Sequence, residues 1–348
     1  MSMQAVLTAP RNFQLIDATL RDLAPYEARI AVSWAGVCGT DLAIYKGHYR
    51  VPLPLVLGHE FSGVVTEVGS EKYKALLGRS CTAEINNSCL AREEADPCEA
   101  CRRGMPTHCQ TRTVVGIDRY DGAYAHEIIV PAANIHVLPE TISNRAAVFV
   151  EPLAAALQTF EMASLQQKEN PMDAPPWVVV LGVGRLGFLA TIVAKAMGAR
   201  VIGISRSERS LALAAQYCDV VLSGDRPDLA VTAVREHTGG LGADYVVEAT
   251  ASPLGLHFAA QLVRPRGVIA LKSTPGLPVD GLNLTSLVVN EVRLQGSRCG
   301  DFAKAIDFMA QSAISFEEII TAQFPLTSAA AALEEAEHAS KVAIQCNA

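Results

Sequence analysis

The stretch "WVVVLGVGRLGFLATIVAKAMG" constrains the fold of this chain more than any other segment. An apolar run precedes Gly182, Gly184 and Gly187, which have G-x-G-x-x-G spacing, and a helical pattern follows. A second apolar run, "ARVIGIS", comes next, as a strand–helix–strand unit requires. The pattern predicts a parallel sheet covered by helices, with a dinucleotide bound at the glycine turn.

The three glycines of this turn have different physical roles. Gly182 permits the tight turn, Gly184 lets the backbone approach a pyrophosphate, and Gly187 lets the helix lie close to the sheet. The unpaired N–H groups at the start of the helix favour phosphate. Arg185 and Leu186 lie within the turn and are predicted to bind the cofactor with it. The alternative is a turn with a structural role only.

The end of "ARVIGIS" bears on cofactor choice. Chains that bind NAD ordinarily present a carboxylate here, whereas this chain presents Ser205 and then Arg206. A hydroxyl and a guanidinium can hydrogen-bond a 2′-phosphate, so we predict NADP(H) over NAD(H), with Arg209 as a weaker third determinant. The alternative is that both arginines are solvated surface residues. Two further candidates for cofactor binding are Thr250, after "ADYVVEA", and Arg298, which could equally form a surface ion pair.

The pattern of apolar runs and turn residues changes near residue 150. Before it, short apolar runs such as "RIAVSWAGV" and "FSGVVTEVG" alternate with Gly, Pro and Asn, which predicts a mostly β domain. After it, strands alternate with helical stretches, as in an α/β domain. "KENPMDAPPW" reads as a linker, and the tail reads as helices ending in a strand.

Length and charge exclude several classes of protein. A chain of 348 residues exceeds the usual single domain of about 150, so two domains are expected. There are 29 basic and 36 acidic residues and no long basic run, which argues against a nucleic-acid partner. The N-terminus lacks the pattern of a secretory signal, and the most apolar segment is interrupted by charges and glycines. We therefore expect a cytoplasmic protein with no membrane partner.

Four of the nine cysteines crowd into the polar stretch of about residues 84–112. In a reducing compartment such clustering favours a closed structural zinc site over disulfides or free thiols. The predicted ligands of this site are Cys89, Cys98, Cys101 and Cys109.

A second group of possible metal ligands lies in the β domain. Cys38 occurs in "GVCGTD", and His59 and Glu60 occur in "GHEFSGVV". A single histidine is more often structural, and a single cysteine is more often a buried apolar residue. Together, these residues indicate a second metal site.

These motifs, followed by the cysteine-rich stretch, "VEPLA" and "VLGVGRLG", resemble in order those of zinc-dependent medium-chain alcohol dehydrogenases. The similarity covers essentially the whole chain, in particular with the branch of polyol, sugar and threonine dehydrogenases. It implies a GroES-like catalytic domain (1–150) containing the zinc lobe, a Rossmann domain (151–290) and a C-terminal segment (291–348) that returns to the catalytic domain. It also implies a homodimer or homotetramer formed through the Rossmann domain.

The resemblance assigns roles to individual residues. Cys38 and His59 match the first two ligands of a catalytic zinc, and Glu151 in "VEPLA" matches the third. Glu60 matches a residue that in relatives ligates zinc transiently or lies behind it. Thr40 matches the hydroxyl that begins the proton relay.

Two departures from the family pattern affect these assignments. Liver-type relatives have a relay histidine where this chain has Ala43, so His48 is a candidate substitute, although a histidine in a surface loop is the alternative. Relatives usually space the first three lobe cysteines by two residues, but position 95 is alanine. Cys89 could complete the lobe through a longer loop, and Asp96 is the fallback.

The implied activity is hydride transfer between NADP(H) and a polyol, sugar or other polar alcohol, or its carbonyl product. Zinc would polarise the substrate oxygen, and the nicotinamide would carry the hydride. The alternatives are a catalytically idle dinucleotide-binding protein with a redox-sensing role and a zinc-free enzyme resembling quinone reductases.

Overall fold

The computed structural model describes residues 2–19, 21–163, 165, 174–273 and 278–347. Its strands, numbered along the chain, are β1 (Ser2–Ala9), β2 (Asn12–Ala18), β3 (Glu27–Gly36), β4 (Leu55–Val56), β5 (Glu60–Val68), β6 (Ser80–Ala83), β7 (Asn86–Asn87), β8 (Thr113–Val115), β9 (Arg119–Tyr120), β10 (Glu127–Pro131), β11 (Ile135–Val137), β12 (Trp177–Leu181), β13 (Arg200–Ser205), β14 (Val220–Ser223), β15 (Ala243–Glu248), β16 (Val263–Leu271), β17 (Arg293–Gly296), β18 (Ala322–Pro325) and β19 (Val342–Gln345).

The α-helices are fewer than the strands in the first part of the chain. They are α1 (Gly39–Tyr45), α2 (Glu99–Arg102), α3 (Val150–Met162), α4 (Arg185–Ala196), α5 (Glu208–Ala214), α6 (Pro227–His237), α7 (Gly255–Leu262), α8 (Leu284–Val289), α9 (Phe302–Gln311) and α10 (Ala329–Glu335). Among the described residues, none of these helices has the length and apolar character needed to cross a membrane.

The first of two compact units contains the residues up to Glu151 and those from Phe302 onward. Its main sheet has the order β11-β6-β5-β3-β19-β18, with β10 also paired to β3. Two small sheets, β2-β1-β4 and β7-β8-β9, accompany it. The chain therefore builds this sheet from strands of both its N-terminal and its C-terminal parts, and β19 pairs directly with β3.

The second unit, Pro152–Asp301, contains a six-stranded sheet of order β14-β13-β12-β15-β16-β17. All its neighbouring strands are parallel. The sequence order reverses between β12 and β15, which is the topological switch point of a doubly wound fold. Such a sheet is buried on both faces, and the apolar run of β12 accordingly has Val178, Val179 and Val180 fully buried.

The predicted fold class, a mostly β domain joined to a Rossmann domain, is confirmed by these sheets. The segments read from the sequence as strands and helices of the second unit form β12, α4, β13, α5, β15, β16 and β17. The predicted linker lies largely outside the described residues, which resume at position 174. The domain boundaries at 150 and 290 stay a prediction.

Candidate metal centres and dinucleotide-binding edge

The pairing of β3 with β5 assembles the first group of possible metal ligands. Gly36, the last residue of β3, lies opposite Glu60, the first residue of β5. His59 immediately precedes Glu60, and Cys38 lies between β3 and α1. A sulfur, a ring nitrogen and a carboxylate oxygen from Cys38, His59 and Glu60 lie within 4.8 Å of one another. The last two residues are buried, so the group lies inside the unit.

Asp41 contacts both Cys38 and His59 and was not identified as a site residue from the sequence. Its side chain is fully buried, and Oδ2 accepts hydrogen bonds from the backbone N of Cys38 at 2.9 Å and from Tyr124 at 3.0 Å. Oδ1 lies 3.3 Å from Nδ1 of His59. A carboxylate on one ring nitrogen orients the other toward a metal. An acidic residue three positions after a helix-capping Cys38 is the sequence signal that could have revealed it.

The protonation of the group is set by burial and by mutual charge. Burial raises the pKa of Cys38, and the charge of Glu60 raises it further, against the opposing effect of His59. Burial lowers the pKa of His59, but Asp41 and Cys38 outweigh it and hold this pKa well above its usual range. A metal that binds here must therefore displace protons from both side chains.

Glu60 has a second partner on its other side. Its Oε2 accepts a hydrogen bond from Nζ of Lys341, and the two side chains are only 3% and 4% exposed. Nζ also lies 5.0 Å from the centre of the Phe149 ring. Lys341 immediately precedes β19, so a residue 281 positions along the chain neutralises a carboxylate of the candidate centre. Nothing in the local sequence indicates this pair.

The other predicted residues of this centre occupy separate positions in the first unit. Glu151 is a half-buried residue in the first turn of α3, and it lies outside the group whose ligand atoms share the 4.8 Å limit. Thr40 is half-buried in the first turn of α1, two positions after Cys38. His48 is exposed, and its backbone N donates to the carbonyl of Ala43 at 2.8 Å. The roles of these three residues stay predictions.

The four lobe cysteines form the second group, again with all ligand atoms within 4.8 Å of one another. Backbone N–H groups donate to three of the sulfurs: Cys98 to Cys89 and Cys89 to Cys109, each at 3.3 Å, and Gln110 to Cys98 at 3.5 Å. Burial opposes ionisation of Cys109, but such donors lower its pKa to about 6. Asp96 is paired with Arg102 at the surface, and Cys89 is the residue that joins the group. Four sulfurs in this arrangement suit a closed tetrahedral zinc site.

The glycine turn lies between β12 and α4 in the second unit. Gly182 has φ of +93°, a conformation that side chains disfavour, and a Cβ there would lie 2.8 Å from the carbonyl of Ala249. A Cβ on Gly187 would overlap the carbonyl oxygen of Gly182. Gly184 is different, because it precedes α4 with open space around its Cα. The turn is thus tightly packed on one side and accessible to a ligand on the other, with Arg185 and Leu186 half-buried at the start of α4.

The predicted determinants of cofactor choice follow the end of β13. Ser205 is the last residue of this strand, and its hydroxyl accepts a hydrogen bond from the backbone N of Ser207 at 3.2 Å. Arg206 and Arg209 are exposed. Thr250 is a further candidate for cofactor binding. It follows β15, so it lies at the same carboxyl edge of the sheet as Ser205 and Arg206.

Arg298 and Thr250 both take part in hydrogen bonds within the second unit. The backbone carbonyl of Arg298 accepts a hydrogen bond from Nζ of Lys272 at 2.6 Å, and the role of its guanidinium stays a prediction. The hydroxyl of Thr250 donates to Glu248 at 2.5 Å and accepts from the backbone N of Ser252 at 3.0 Å. The Thr250 side chain is therefore engaged within the protein.

Comparison with known proteins agrees with both units. Residues 24–140 match the alcohol dehydrogenase GroES-like domain, and residues 186–311 match the zinc-binding dehydrogenase domain. The D-arabitol-phosphate dehydrogenase of Enterococcus avium is 30% identical over 320 residues, which cover 90% of this chain and 87% of that protein.

Two solved structures are similar over 99% of both chains. One is an alcohol dehydrogenase from E. coli CFT073 complexed with NADH, with a TM-score of 0.87 and 26% identity. The other, described as a zinc-binding dehydrogenase from Sinorhizobium meliloti 1021, is bound to NADP, with a TM-score of 0.86 and 25% identity. Both nicotinamide cofactors therefore occur on this fold. The extent of these matches shows that the chain belongs to the zinc-dependent medium-chain alcohol dehydrogenases, oxidoreductases that act on CH–OH groups with a nicotinamide cofactor.

Proposed function

We propose that the chain is a dehydrogenase of polyols, sugars or similarly polar alcohols in which Cys38, His59 and Glu151 hold the catalytic zinc. The observation that carries this proposal is the gathering of the Cys38 thiol, the His59 imidazole and the Glu60 carboxylate in the interior beside β3. Glu151 lies outside that group and is proposed as the third ligand because "VEPLA" matches that position in the family motif. Three protein ligands of mixed type with one open position are typical of catalytic zinc. The name of the Enterococcus avium relative, which specifies a polyol phosphate, supports the substrate class.

The proposed chemistry divides between the bound groups and the side chains. When bound, zinc would polarise the substrate oxygen, on the scale by which it lowers the pKa of a bound water to about 7, and the nicotinamide would accept hydride. Oδ1 of Asp41 lies 3.3 Å from Nδ1 of His59, so the other ring nitrogen would be the one that holds the ion. Thr40 takes the hydroxyl proton of the alcohol. The exposed His48 passes it to solvent.

Glu60 and Glu151 have different tasks in this proposal. Glu60 is restrained by Lys341 and would stay behind the metal or ligate it transiently. Glu151 would be the permanent third ligand. Measuring zinc content tests this division: E151Q should lose one zinc equivalent per chain, and E60Q should retain it. The opposite result would exchange the two assignments.

The cysteine lobe is proposed to hold a structural zinc ion. Four sulfurs already lie at mutual distances that a tetrahedral ion can span, and the regular structure of the lobe is limited to the short helix α2, a 3-10 turn at Pro106–His108 and the short strand β7. Zinc would stabilise a region that has little apolar core. Thiolate ligands of this kind persist in reducing compartments, which supports the proposed cytoplasmic location.

NADP(H) is proposed as the preferred cofactor. The support is chemical: the strand that would carry a carboxylate for the ribose hydroxyls of NAD ends in Ser205, and the exposed guanidinium of Arg206 follows. A carboxylate would repel a 2′-phosphate, whereas these groups can hydrogen-bond it.

The chain is also proposed to form a homo-oligomer through its second unit. β17 is the last strand of its sheet as described, so its outer edge can pair with the same strand of a second copy across a two-fold axis. Next to it, α8 presents Leu284, Val288 and Val289 with exposures of 62%, 75% and 73%. V288D should reduce the mass measured by light scattering, whereas L229D, at an apolar residue 57% exposed on α6, should not.

The decisive test of the proposed function is a coupled screen of substrate and cofactor. Zinc-loaded protein would be assayed with alcohols, polyols, free sugars and polyol phosphates, each with NADP and with NAD. We expect turnover of polyols that is faster with NADP and is abolished in C38S. Turnover that survives in C38S would refute the zinc mechanism, and activity on simple alcohols alone would refute the substrate class.

A further inference from the structure

Glu248 is a buried acidic side chain in the second unit. It is the last residue of β15 and only 4% exposed. β15 lies next to β12 at the switch point of the sheet, where dinucleotides bind across the carboxyl ends of the strands. The two halves of such a fold each receive one nucleotide. Since the glycine turn and Ser205 belong to the half β12-β13-β14, Glu248 belongs to the half that receives the nicotinamide.

Both carboxylate oxygens of Glu248 are used, and they hold two different segments. Oε1 accepts hydrogen bonds from the backbone N of Thr250 at 2.9 Å and from its hydroxyl at 2.5 Å. Oε2 accepts a hydrogen bond from the hydroxyl of Ser273. Thr250 belongs to the loop between β15 and α7, and Ser273 follows β16. A single side chain therefore ties together the ends of two neighbouring strands.

The loop after β15 also forms one wall of the glycine turn. The backbone of Ala249 and Thr250 lies where a Cβ on Gly182 would be, at 2.8 and 2.9 Å. From Thr250 the restraint continues, because its hydroxyl accepts from the backbone N of Ser252 at 3.0 Å. At Gly255, the first residue of α7, a Cβ would overlap Oε1 of Glu248. Displacing Glu248 would thus release both this loop and the start of α7.

We propose that Glu248 is a positioning residue for the cofactor: it fixes the loop after β15 and residues 272–273 after β16 as part of the surface on which the nicotinamide half of the dinucleotide lies. The proposal rests on the nicotinamide cofactor of the family and is independent of the preference for NADP. Its physical basis is that three donors converge on one buried acceptor. Without that acceptor, the donors would turn toward other partners and the loops would lose their bound geometry.

The test compares binding of a whole cofactor with binding of its adenine half, measured by calorimetry on zinc-loaded protein. The probes are NADPH and adenosine 2′,5′-bisphosphate, or NADH and AMP if the wild type binds NADH more tightly. E248M keeps the length of the side chain and removes both acceptors. We expect the Kd of the whole cofactor to rise by about tenfold or more, and the Kd of the adenine half to change by less than about twofold.

E248Q serves as the conservative variant. Its amide oxygen can still accept from Thr250, and the hydroxyl of Ser273 can rotate to accept from the amide nitrogen. We therefore expect E248Q to bind the whole cofactor with an affinity close to that of the wild type. Equal weakening of whole cofactor and adenine half in E248M would mean general damage to the unit and would overturn the proposal, as would unchanged binding of both.

Milder variants cover the case in which E248M does not fold. T250V removes one hydroxyl that donates to Glu248, and S273A removes the other. Each should weaken binding of the whole cofactor selectively, whereas T232V, at an exposed threonine on α6, should not. No selective effect in either variant would refute the role of Glu248. A wild type that binds no dinucleotide at all would instead refute the cofactor chemistry of the proposed function.

Discussion

Lys341 and Glu60 form an ion pair inside the first unit, with both side chains less than 5% exposed. A buried pair of this kind contributes little net stability when intact, but removing one partner leaves the other charge without compensation. The pair also lies against the candidate metal ligands Cys38 and His59. Its integrity therefore bears on both the stability of the unit and the charge beside the metal.

Replacing Lys341 with methionine should destabilise the protein strongly. K341M leaves the carboxylate of Glu60 buried and unpaired, which costs about 3–5 kcal/mol in comparable cases. Urea unfolding measures the loss. The control is K74M, since Lys74 pairs with Glu71 at the surface with 67% exposure, and it should change stability by less than about 0.5 kcal/mol. The double variant K341M/E60Q should recover part of the lost free energy of unfolding, because it removes the unpaired charge. A K341M variant as stable as K74M would show that the buried carboxylate does not need Lys341.

Asp41 is expected to control metal affinity at the candidate centre of Cys38, His59 and Glu60. D41N places an amide where a carboxylate now lies 3.3 Å from Nδ1 of His59, so the ring loses the partner that orients it. Loss of such a partner typically reduces metal affinity by about 10–100-fold. Zinc content after dialysis against graded chelator measures the effect, with the cysteine lobe as an internal standard. D17N, at an exposed aspartate on β2, is the control, and equal retention of zinc by D41N and D17N would refute the expectation.

Arg206 should distinguish the two cofactors. A guanidinium that bonds a 2′-phosphate contributes about 1.5–3 kcal/mol, so R206A should lower kcat/KM for NADP by about 10–100-fold. The value for NAD should change little. Steady-state kinetics with both cofactors measure this, and R226A, at an exposed arginine paired with Asp228, is the control. If kcat/KM fell equally with NADP and with NAD, Arg206 would not bind the 2′-phosphate.

Glu317 should make the first unit sensitive to acid. The hydrogen bond from Ser143 and the charge of Arg145 lower the pKa of Glu317 below its usual value of 4.5, against the effect of burial. The unfolded chain then takes up the proton more readily, so this stabilisation is complete above about pH 4.5 and is lost as the pH falls through the lowered pKa.

The variant E317Q checks this pH dependence. Its Tm should lie below that of the wild type near neutral pH, and the two should converge as the solution is acidified below about pH 4.5. The difference should be small, because the Glu317 side chain is 34% exposed and solvent screens the pair. E318Q alters the exposed neighbour and is the control. A constant difference in Tm at every pH would be inconsistent with the ion pair.

The parts of the fold that follow from local pattern were predictable. β12, the turn at Gly182 and α4 form one continuous signal, since the period of the apolar residues, the glycine spacing and the helix start all occur within a short segment. The candidate ligands Cys38, His59 and Glu60 were also singled out from their motifs, and the structure brings them together.

What could not be predicted depends on contacts between distant parts of the chain. Lys341 reaches Glu60 only because β19 pairs with β3, and no local signal predicts that pairing. Glu248 looks in the sequence like an ordinary end to an apolar strand, and its role depends on the neighbouring segment at Ser273. The motif "VEPLA" likewise could not show that Glu151, in the first turn of α3, lies outside the group of Cys38, His59 and Glu60.

The place of β19 in the main sheet has a consequence for biosynthesis. Lys341, which neutralises Glu60, and the strand that pairs with β3 both follow the second unit in the chain. A nascent chain on the ribosome therefore presents every residue of its second unit before its first unit is complete. Truncation before Lys341 would remove β19 from the main sheet and leave Glu60 without its buried partner, while all residues of the second unit would remain.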